Sequence, residues 1–435
     1  MDQIVLASTV MLAVVLLFLA SGVWVAISLL AASIAALVLF TPVPAGSLLA
    51  SSMWDASWNW ALTALPLFVW MGEILSRTRL SSDMFSGVAP WVSRLPGRLL
   101  HVNVLSCGIM AAVAGSSAVT AATIGRMSLP ELSRRGYNEN MMIGTLAGSG
   151  TLGLLIPPSI VMIVYGVTAQ QSVARLFIAG ILPGLVLVLL FMGYVALWSM
   201  ANAERMPAAE PRVKLRTKLW ESRRLIPVLL LIIAVIGSIY GGIATPTEAA
   251  TIGVVGSLAL AAAYGGLSMA TFMESLLAAT RMSCMIAFII GCAACLTIAV
   301  GFVDIPRALA GWVDSLGLSR YALLAVLAFF ILVMGCFLEG ISIIVLSASV
   351  MLPMLEAADV DLLWFGVFVV ILIEAAQITP PVGFNLFVLQ SLTGRSIWRI
   401  TVATVPFFLI LMLLLVVITM APAVVTWLPG LMGRG

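Results

Sequence analysis

Apolar runs of about 20 residues or more follow one another along almost the whole chain, the length a helix needs to cross the hydrocarbon core of a bilayer. They lie near 4–20, 22–40, 58–76, 101–129, 141–168, 174–200, 225–243, 247–264, 281–300, 322–352, 362–390 and 400–428. Inside lipid every backbone N–H and C=O must find a partner within the protein. The runs therefore predict an all-α polytopic membrane protein of roughly ten or more crossings. Composition agrees: 62% of the 435 residues are hydrophobic and 9% charged, against roughly a quarter charged in soluble domains. The only charge before the first run is Asp2, unlike the basic start of a cleaved signal, so residues 4–20 are expected to stay as a helix. Cys292 and Cys295 are spaced as a CxxC, but inside an apolar run that spacing predicts packing rather than redox chemistry.

Charge placement gives an orientation. The connection at 204–224 carries seven Lys or Arg and three Glu. Basic loops stay in the cytoplasm. Suppose the N-terminus lies outside and the interrupted runs at 101–129 and 322–352 turn back as hairpins. Then 17 of the 21 Lys and Arg fall inside, while Asp2, Asp55, Asp304, Asp314, Glu356, Asp359 and Asp361 fall outside. Both termini then face outside. Residues 80–98 are too polar to span and predict an interfacial helix on the cytoplasmic face, with 302–320 as its outer counterpart.

Two apolar runs contain consecutive prolines, GLLIPPSIVMIVYG at 153–166 and AQITPPVGFNLFVLQ at 376–390. Proline has no N–H and clashes with the preceding helical turn, so each pair breaks a helix at membrane depth. The pairs are 223 residues apart, and the same offset matches Pro130 with Pro353 and Pro183 with Pro406. It also lays 4–20, 22–40 and 58–76 over 225–243, 247–264 and 281–300. Under the charge-derived orientation each matched pair runs in opposite directions. The chain thus reads as two inverted-topology repeats, 1–203 and 225–435, joined by the basic linker 204–224. In inverted-repeat transporters the broken helices meet near the midplane. Half-helix N-termini suit an anionic group there, and freed carbonyls suit a hard cation.

Four segments would meet: AVAGSSAVTAATIG (112–125), GSGTLGLLIPPS (148–159), FLEGISIIVLSASV (337–350) and QITPPVGFN (377–385). The offset places Glu339-Gly340 over Ser116-Ser117 at the two hairpin tips. Gly and Ser are also ordinary packing residues in membrane helices, so it is the pairing of tips with proline breaks that marks these positions. Three acids lie in or near the ends of apolar runs, where carboxylates are functional by default. Glu73 is one turn from Arg77 and predicts an ion pair. Glu339 is a cation-binding candidate. Glu374 is expected to hydrogen-bond to loop backbone. His101, the single histidine, is expected at the interface, and one histidine makes no metal cluster. No phosphate-binding GxxxxGKS loop occurs, so ATP-driven transport within this chain is excluded, and no nucleic-acid partner is expected.

GSSAVTAATIG (115–125), GTLGLLIPPSI (150–160), GGIATPTEAA (241–250), LWFGVFV (363–369) and ITPPVGFNLFV (378–388) together resemble the large membrane subunit of TRAP transporters, the tripartite ATP-independent periplasmic systems, of the C4-dicarboxylate type. The likeness runs along nearly the whole chain. It implies a non-enzymatic, elevator-type architecture of the ion-transporter superfamily in the bacterial inner membrane, with periplasmic termini. It implies import of an organic acid, driven by Na⁺ and handed over by a periplasmic substrate-binding protein. A separate small four-helix membrane subunit would complete the complex, and no cofactor beyond Na⁺ is implied. Carried over by position, Ser116, Ser117, Gly150, Gly153 and Ile156 would form one Na⁺ site. Glu339, Gly340, Ser342, Gln377, Thr379, Pro380 and Gly383 would form the other. Gly115, Thr120, Thr151, Pro157, Pro158, Pro381 and Asn385 would surround the substrate. Residues 101–200 and 322–428 would move against a scaffold made by the first three runs of each half. Two other readings stay open: a stand-alone arsenite- or citrate-type carrier of the same superfamily, and an intramembrane serine hydrolase using Ser117 or Ser149 with His101 as base.

Overall fold

The structure is a computed structural model that describes residues 2–208, 214–264, 266–308, 311, 319–380 and 383–432. Regular structure among these residues is helical throughout. The first repeat comprises α1 (Asp2–Ala20), α2 (Val25–Phe40), α3 (Ala45–Ser57), α4 (Ala64–Ser76), α5 (Leu80–Val92), α6 (Leu100–Ala114), α7 (Ser117–Arg134), α8 (Glu139–Leu155), α9 (Ile160–Thr168) and α10 (Val173–Ala201). A linker helix α11 (Leu215–Ser222) follows. The second repeat comprises α12 (Ile226–Tyr240), α13 (Pro246–Ala263), α14 (Met269–Phe302), α15 (Arg320–Gly335), α16 (Gly340–Ala357), α17 (Leu362–Gln377), α18 (Phe384–Thr393), α19 (Ile397–Met420) and α20 (Ala423–Leu431). Six helices are long and apolar enough to cross a membrane, or eight if two bent pairs each count as one span, among the described residues. The expected ten or more crossings are reached only by adding shorter apolar helices of 10–17 residues such as α2, α6, α15 and α17.

Helix ends fall where local chemistry puts them. The side chain of Asp361 accepts from the backbone N–H groups of Leu363 and Trp364 at 2.7 and 3.1 Å and starts α17. Thr245 and Glu248 form a reciprocal capping box on α13, with Pro246 in its first turn. The 223-residue offset extends to these boundaries: it carries both ends of α7 onto both ends of α16, and the start of α8 onto the start of α17. It also carries α2 onto the last 16 residues of α13.

The repeat is not perfect. α14 is one 34-residue helix, while its counterpart is cut into α3, a 3₁₀ turn at Trp60–Thr63, and α4. Asn59 makes the cut: its side chain accepts from the Ala61 N–H at 2.9 Å, in competition with helical bonding. The run read as a single span at 58–76 is therefore a 3₁₀ turn followed by a 13-residue helix, with an unanticipated helix before it. The basic linker is also partly helical. Trp91 of α5 donates its indole N–H to Ser222 at 2.5 Å, the Lys218 amine lies 5.6 Å from the Trp91 ring, and Arg223 stacks on Trp220 at 3.3 Å. Part of the expected outer segment 302–320 lies outside the described residues.

The helices sort into two packed groups. α1–α4 and α12–α14 pack on one another, and α6–α10 pack with α15–α20. The groups touch where α4 meets α6 and α9, where α12 meets α6 and α10, and where α14 meets α16, and α5 packs mainly on α6 and α11. At the first of these seams a Cβ on Gly72 would come within 2.9 Å of the Ala114 carbonyl oxygen, at the end of α6. Inside the second group, Phe191 of α10 and Phe407 of α19 pack ring to ring at 5.4 Å.

Candidate functional site

The first hairpin turns at Gly115, whose φ of 61° is the left-handed conformation that glycine adopts without strain. A Cβ there would also meet the Pro158 carbonyl oxygen at 2.9 Å, so the hairpin tip abuts the first helix break. That break is built as the prolines require. The Ile156 N–H still reaches the Leu152 carbonyl at 2.9 Å, and Ser159 caps α9 by accepting from the Met162 N–H at 3.3 Å. Pro157 and Pro158 have no N–H, so the carbonyls of Gly153 and Leu154 lose their helical partners. α8 and α9 meet at a bend of 41°. A Cβ on Gly153 would lie 2.6 Å from the Ser116 carbonyl oxygen and 2.8 Å from the Thr120 hydroxyl, and one on Gly150 would lie 2.8 Å from the Ala121 side chain. The hairpin therefore rests directly on the glycine face of α8. Thr120 is buried and donates its hydroxyl to the Ser116 carbonyl at 2.8 Å.

The second break has the same parts arranged differently. Pro380 would deprive the Ala376 carbonyl, but the Thr379 N–H takes it at 3.1 Å, and the Thr379 hydroxyl bonds the Ala375 carbonyl at 2.6 Å. A Cβ on Gly383 would lie 2.7 Å from the Gln377 carbonyl oxygen and 2.6 Å from that of Thr379. Gly340, at the second hairpin tip, fits against Ile373 and Gln377 of α17 and also against Val161 of α9. Glu339 and Ser342 line a cavity of about 320 Å³ shared with Trp24 of the α1–α2 turn and Phe288 of α14. Pro381 lies outside the described residues.

Of the bonds that join the two halves, one lies between a hairpin tip and a proline break. The Ser117 hydroxyl donates to the Gln377 side-chain carbonyl at 2.5 Å, joining the first hairpin tip to the second break across 260 residues. Both side chains are buried. Most of the residues chosen by position are thus brought together: Gly115, Ser116, Ser117, Thr120, Gly150, Gly153, Ile156, Pro157 and Pro158 at the first break, and Gly340, Thr379, Pro380 and Gly383 at the second. Asn385, in the first turn of α18, is fully buried, and neither its amide nitrogen nor its oxygen has a hydrogen-bond partner. The Thr151 hydroxyl bonds the Gly148 carbonyl of its own helix at 2.7 Å.

The remaining polar candidates separate. Glu73 pairs with Arg77 at 3.3 Å as expected, and Arg77 also bonds Glu274 at 2.7 Å. Glu374 is fully buried, and the backbone group that faces it belongs to Leu155 at the first helix break, as expected of it, although among the described residues neither carboxylate oxygen lies within full hydrogen-bond geometry. His101 lies at the start of α6, where it is buried, and its Nε2–H reaches the Pro96 carbonyl at 2.5 Å. It sits in the first turn of α6 and Ser117 just beyond the other end, about 20 Å away by helical rise. The Ser117 hydroxyl is engaged by Gln377 and the Ser149 hydroxyl has no hydrogen-bond partner, so among the described residues neither serine is bonded to His101.

The chain is similar to known proteins along most of its length. The chain is 35% identical over 398 residues to the C4-dicarboxylate TRAP transporter large permease protein DctM of Pseudomonas aeruginosa, covering 91% of this chain and 92% of that one. It is 30% identical to the isethionate TRAP transporter permease protein DctMQ of Oleidesulfovibrio alaskensis, covering 95% of this chain and 65% of that longer one. Among solved structures, the YdaH transporter of Alcanivorax borkumensis, described as having an unusual topology, superposes with a TM-score of 0.61 over 88% of each chain at 13% identity. That match reports the fold alone. The pattern of the family described as tripartite ATP-independent periplasmic transporter, DctM component, matches residues 12–424, and the chain belongs to that family of transporter permeases.

Proposed function

We propose that this chain is the membrane permease of a Na⁺-coupled importer of a small organic acid. A periplasmic binding protein delivers the substrate, and a separate small four-helix membrane subunit completes the complex in the bacterial inner membrane, with both termini of this chain periplasmic. The observation that carries the reading is the Ser117–Gln377 bond, because it makes a single centre out of two hairpin tips and two proline breaks. Such a centre offers both kinds of group the cargo needs. The N-termini of α7, α9, α16 and α18 carry partial positive charge for an anionic group. The carbonyls left at the ends of α8 and α17 suit Na⁺. We assign one Na⁺ to Ser116, Ser117 and the carbonyls of Gly150, Gly153 and Ile156. The second goes to Glu339, Gly340, Ser342, Gln377, Thr379, Pro380 and Gly383. The acid lies between them, beside Gly115, Thr120, Thr151, Asn385 and the proline pairs. None of these residues is Lys or Arg, so the anion is held by helix ends, hydroxyls and the bound cations. The names of the relatives point to small anions, a C4-dicarboxylate in one case and isethionate in another. α6–α10 and α15–α20 move as a unit along the seams with α4, α12 and α14, carrying the centre across the membrane.

Reconstitution tests the reading. Proteoliposomes holding this chain and its small subunit are expected to accumulate a C4-dicarboxylate only with an inward Na⁺ gradient and the binding protein present. Accumulation that ignores Na⁺ would refute the coupling. Accumulation without the binding protein would support the stand-alone carrier instead.

A further inference from the structure

We propose that Glu374 completes the cation site at the first helix break, so that the second repeat supplies the charge for a site otherwise built by the first. The inference rests on the Na⁺ coupling proposed above. Glu374 lies on α17, one turn before Gln377, and is fully buried. Among the described residues neither carboxylate oxygen completes a hydrogen bond, and the one backbone donor that faces it is the N–H of Leu155, the last residue of α8. The carbonyls of Gly153 and Leu154 have lost their helical donors to Pro157 and Pro158. α10 closes on the same point: a Cβ on Gly180 would lie 2.6 Å from the Leu155 carbonyl oxygen. A carboxylate beside the negative end of a helix, walled off from water, is unfavourable as it stands. A dehydrated monovalent cation removes the conflict, because carboxylate and main-chain oxygens are the ligands it takes.

Among the described residues no basic side chain does this job. The arginines on helices packed against α17 stand at their ends: Arg175 on α10, Arg320 on α15 and Arg399 on α19, the last bonded to Glu139 at 2.8 Å. The acids nearby in the fold, Glu339 and Glu356, lie at the two ends of α16, and the Tyr165 hydroxyl of α9 is bonded to the Leu362 carbonyl at 2.7 Å. The repeat offset makes the choice of residue specific. Glu374 takes the place of Thr151, whose hydroxyl is satisfied within its own helix.

The test is Na⁺ titration of the assembled permease complex, followed by tracer Na⁺ binding and by the number of Na⁺ carried per substrate in proteoliposomes. Glu374→Gln and Glu374→Thr are expected to raise the half-saturating Na⁺ concentration at least tenfold and to lower the Na⁺ count by one. Unchanged affinity and count in both variants would overturn the inference while leaving the Na⁺-coupled reading intact. A variant that keeps its Na⁺ behaviour but loses a pH dependence present in the wild type would also overturn it, in favour of a proton on this carboxyl. Absence of Na⁺ dependence in the wild type would remove both the inference and the reading beneath it. If the neutral variants do not assemble, Glu374→Asp, which keeps the charge on a shorter arm, is expected to change the Li⁺-to-Na⁺ preference; an unchanged preference and affinity would count against the site.

Discussion

Gly153→Ala is the smallest change that should disturb the first cation site without touching its chemistry. A methyl at this position would point at the first hairpin tip, 2.6 Å from the Ser116 carbonyl oxygen, 2.7 Å from its carbon and 2.8 Å from the Thr120 hydroxyl. Ordinary contact starts near 3.4 Å, so about 0.8 Å must open between α8 and the hairpin. The obstacle is backbone, not a flexible side-chain end, and overpacking of this kind costs about 1–3 kcal/mol. If that cost falls on the closed, ion-loaded arrangement, it corresponds to roughly 5- to 150-fold weaker apparent Na⁺ affinity, at 1.4 kcal/mol per factor of ten. The assay is the Na⁺ concentration dependence of binding-protein-dependent uptake, with thermal unfolding of the same preparations. Gly193→Ala on α10 is the control, because a Cβ there meets nothing within 4 Å. It should leave Na⁺ dependence unchanged. A Gly153→Ala permease with the Na⁺ dependence and thermal midpoint of the Gly193→Ala control would refute the idea that the hairpin seats on this glycine.

Three further outcomes follow from the contacts. Ser117→Ala leaves the Gln377 carbonyl oxygen buried without its donor and should weaken substrate-linked Na⁺ binding by about 1–3 kcal/mol; Ser117→Ala with Gln377→Leu should recover part of it, and a double-mutant cycle with zero coupling would show that the two residues do not meet in the working protein. Asp361→Ala removes a cap that accepts from two N–H groups and should cost about 1 kcal/mol of stability in unfolding measurements, with Na⁺ affinity unchanged. Arg77→Ala breaks exposed pairs with Glu73 and Glu274 and should change stability by less than about 1 kcal/mol; a larger loss would mean that the pair is shielded by a partner subunit.

The centre of the molecule was legible in the sequence because its causes are local. Proline cannot donate wherever it stands, so both breaks and their spacing could be read directly, and helix ends repeat at the same offset. What was hidden depends on distant partners or on residues that hydropathy undervalues. α3 carries Ser47, Ser51, Ser52 and Asp55, so no apolar run announced it. α11 sits in a basic stretch, and its docking depends on Trp91 more than a hundred residues earlier. The place of His101 at the mouth of a hairpin was legible, but its burial was not. The turn at Gly97, with φ of 97°, precedes α6, and the histidine is buried against the Pro96 carbonyl. The Ser117–Gln377 bond could not be read from the offset, which pairs Ser117 with Gly340 instead.

The two repeats share a backbone plan but divide the charge unequally, and this bears on the order of events in transport. At matched positions the first repeat has Ser116 and Thr151 where the second has Glu339 and Glu374. The two half-sites are therefore alike in their proline breaks and unlike in carboxylates. Under the assignments proposed above, Glu374 serves the first break and Glu339 the second, so both carboxylates come from the second repeat. An anionic substrate entering before the cations would place three or more negative charges in one poorly solvated centre, where their repulsion is weakly screened. Cations first is the order this arrangement favours: once both carboxylates are matched, the helix N-termini and hydroxyls of Thr120 and Asn385's amide have only the acid left to bind. The Ser117–Gln377 bond is the direct side-chain link from the first hairpin tip to the second break, and the double-mutant cycle described above measures whether it carries that order.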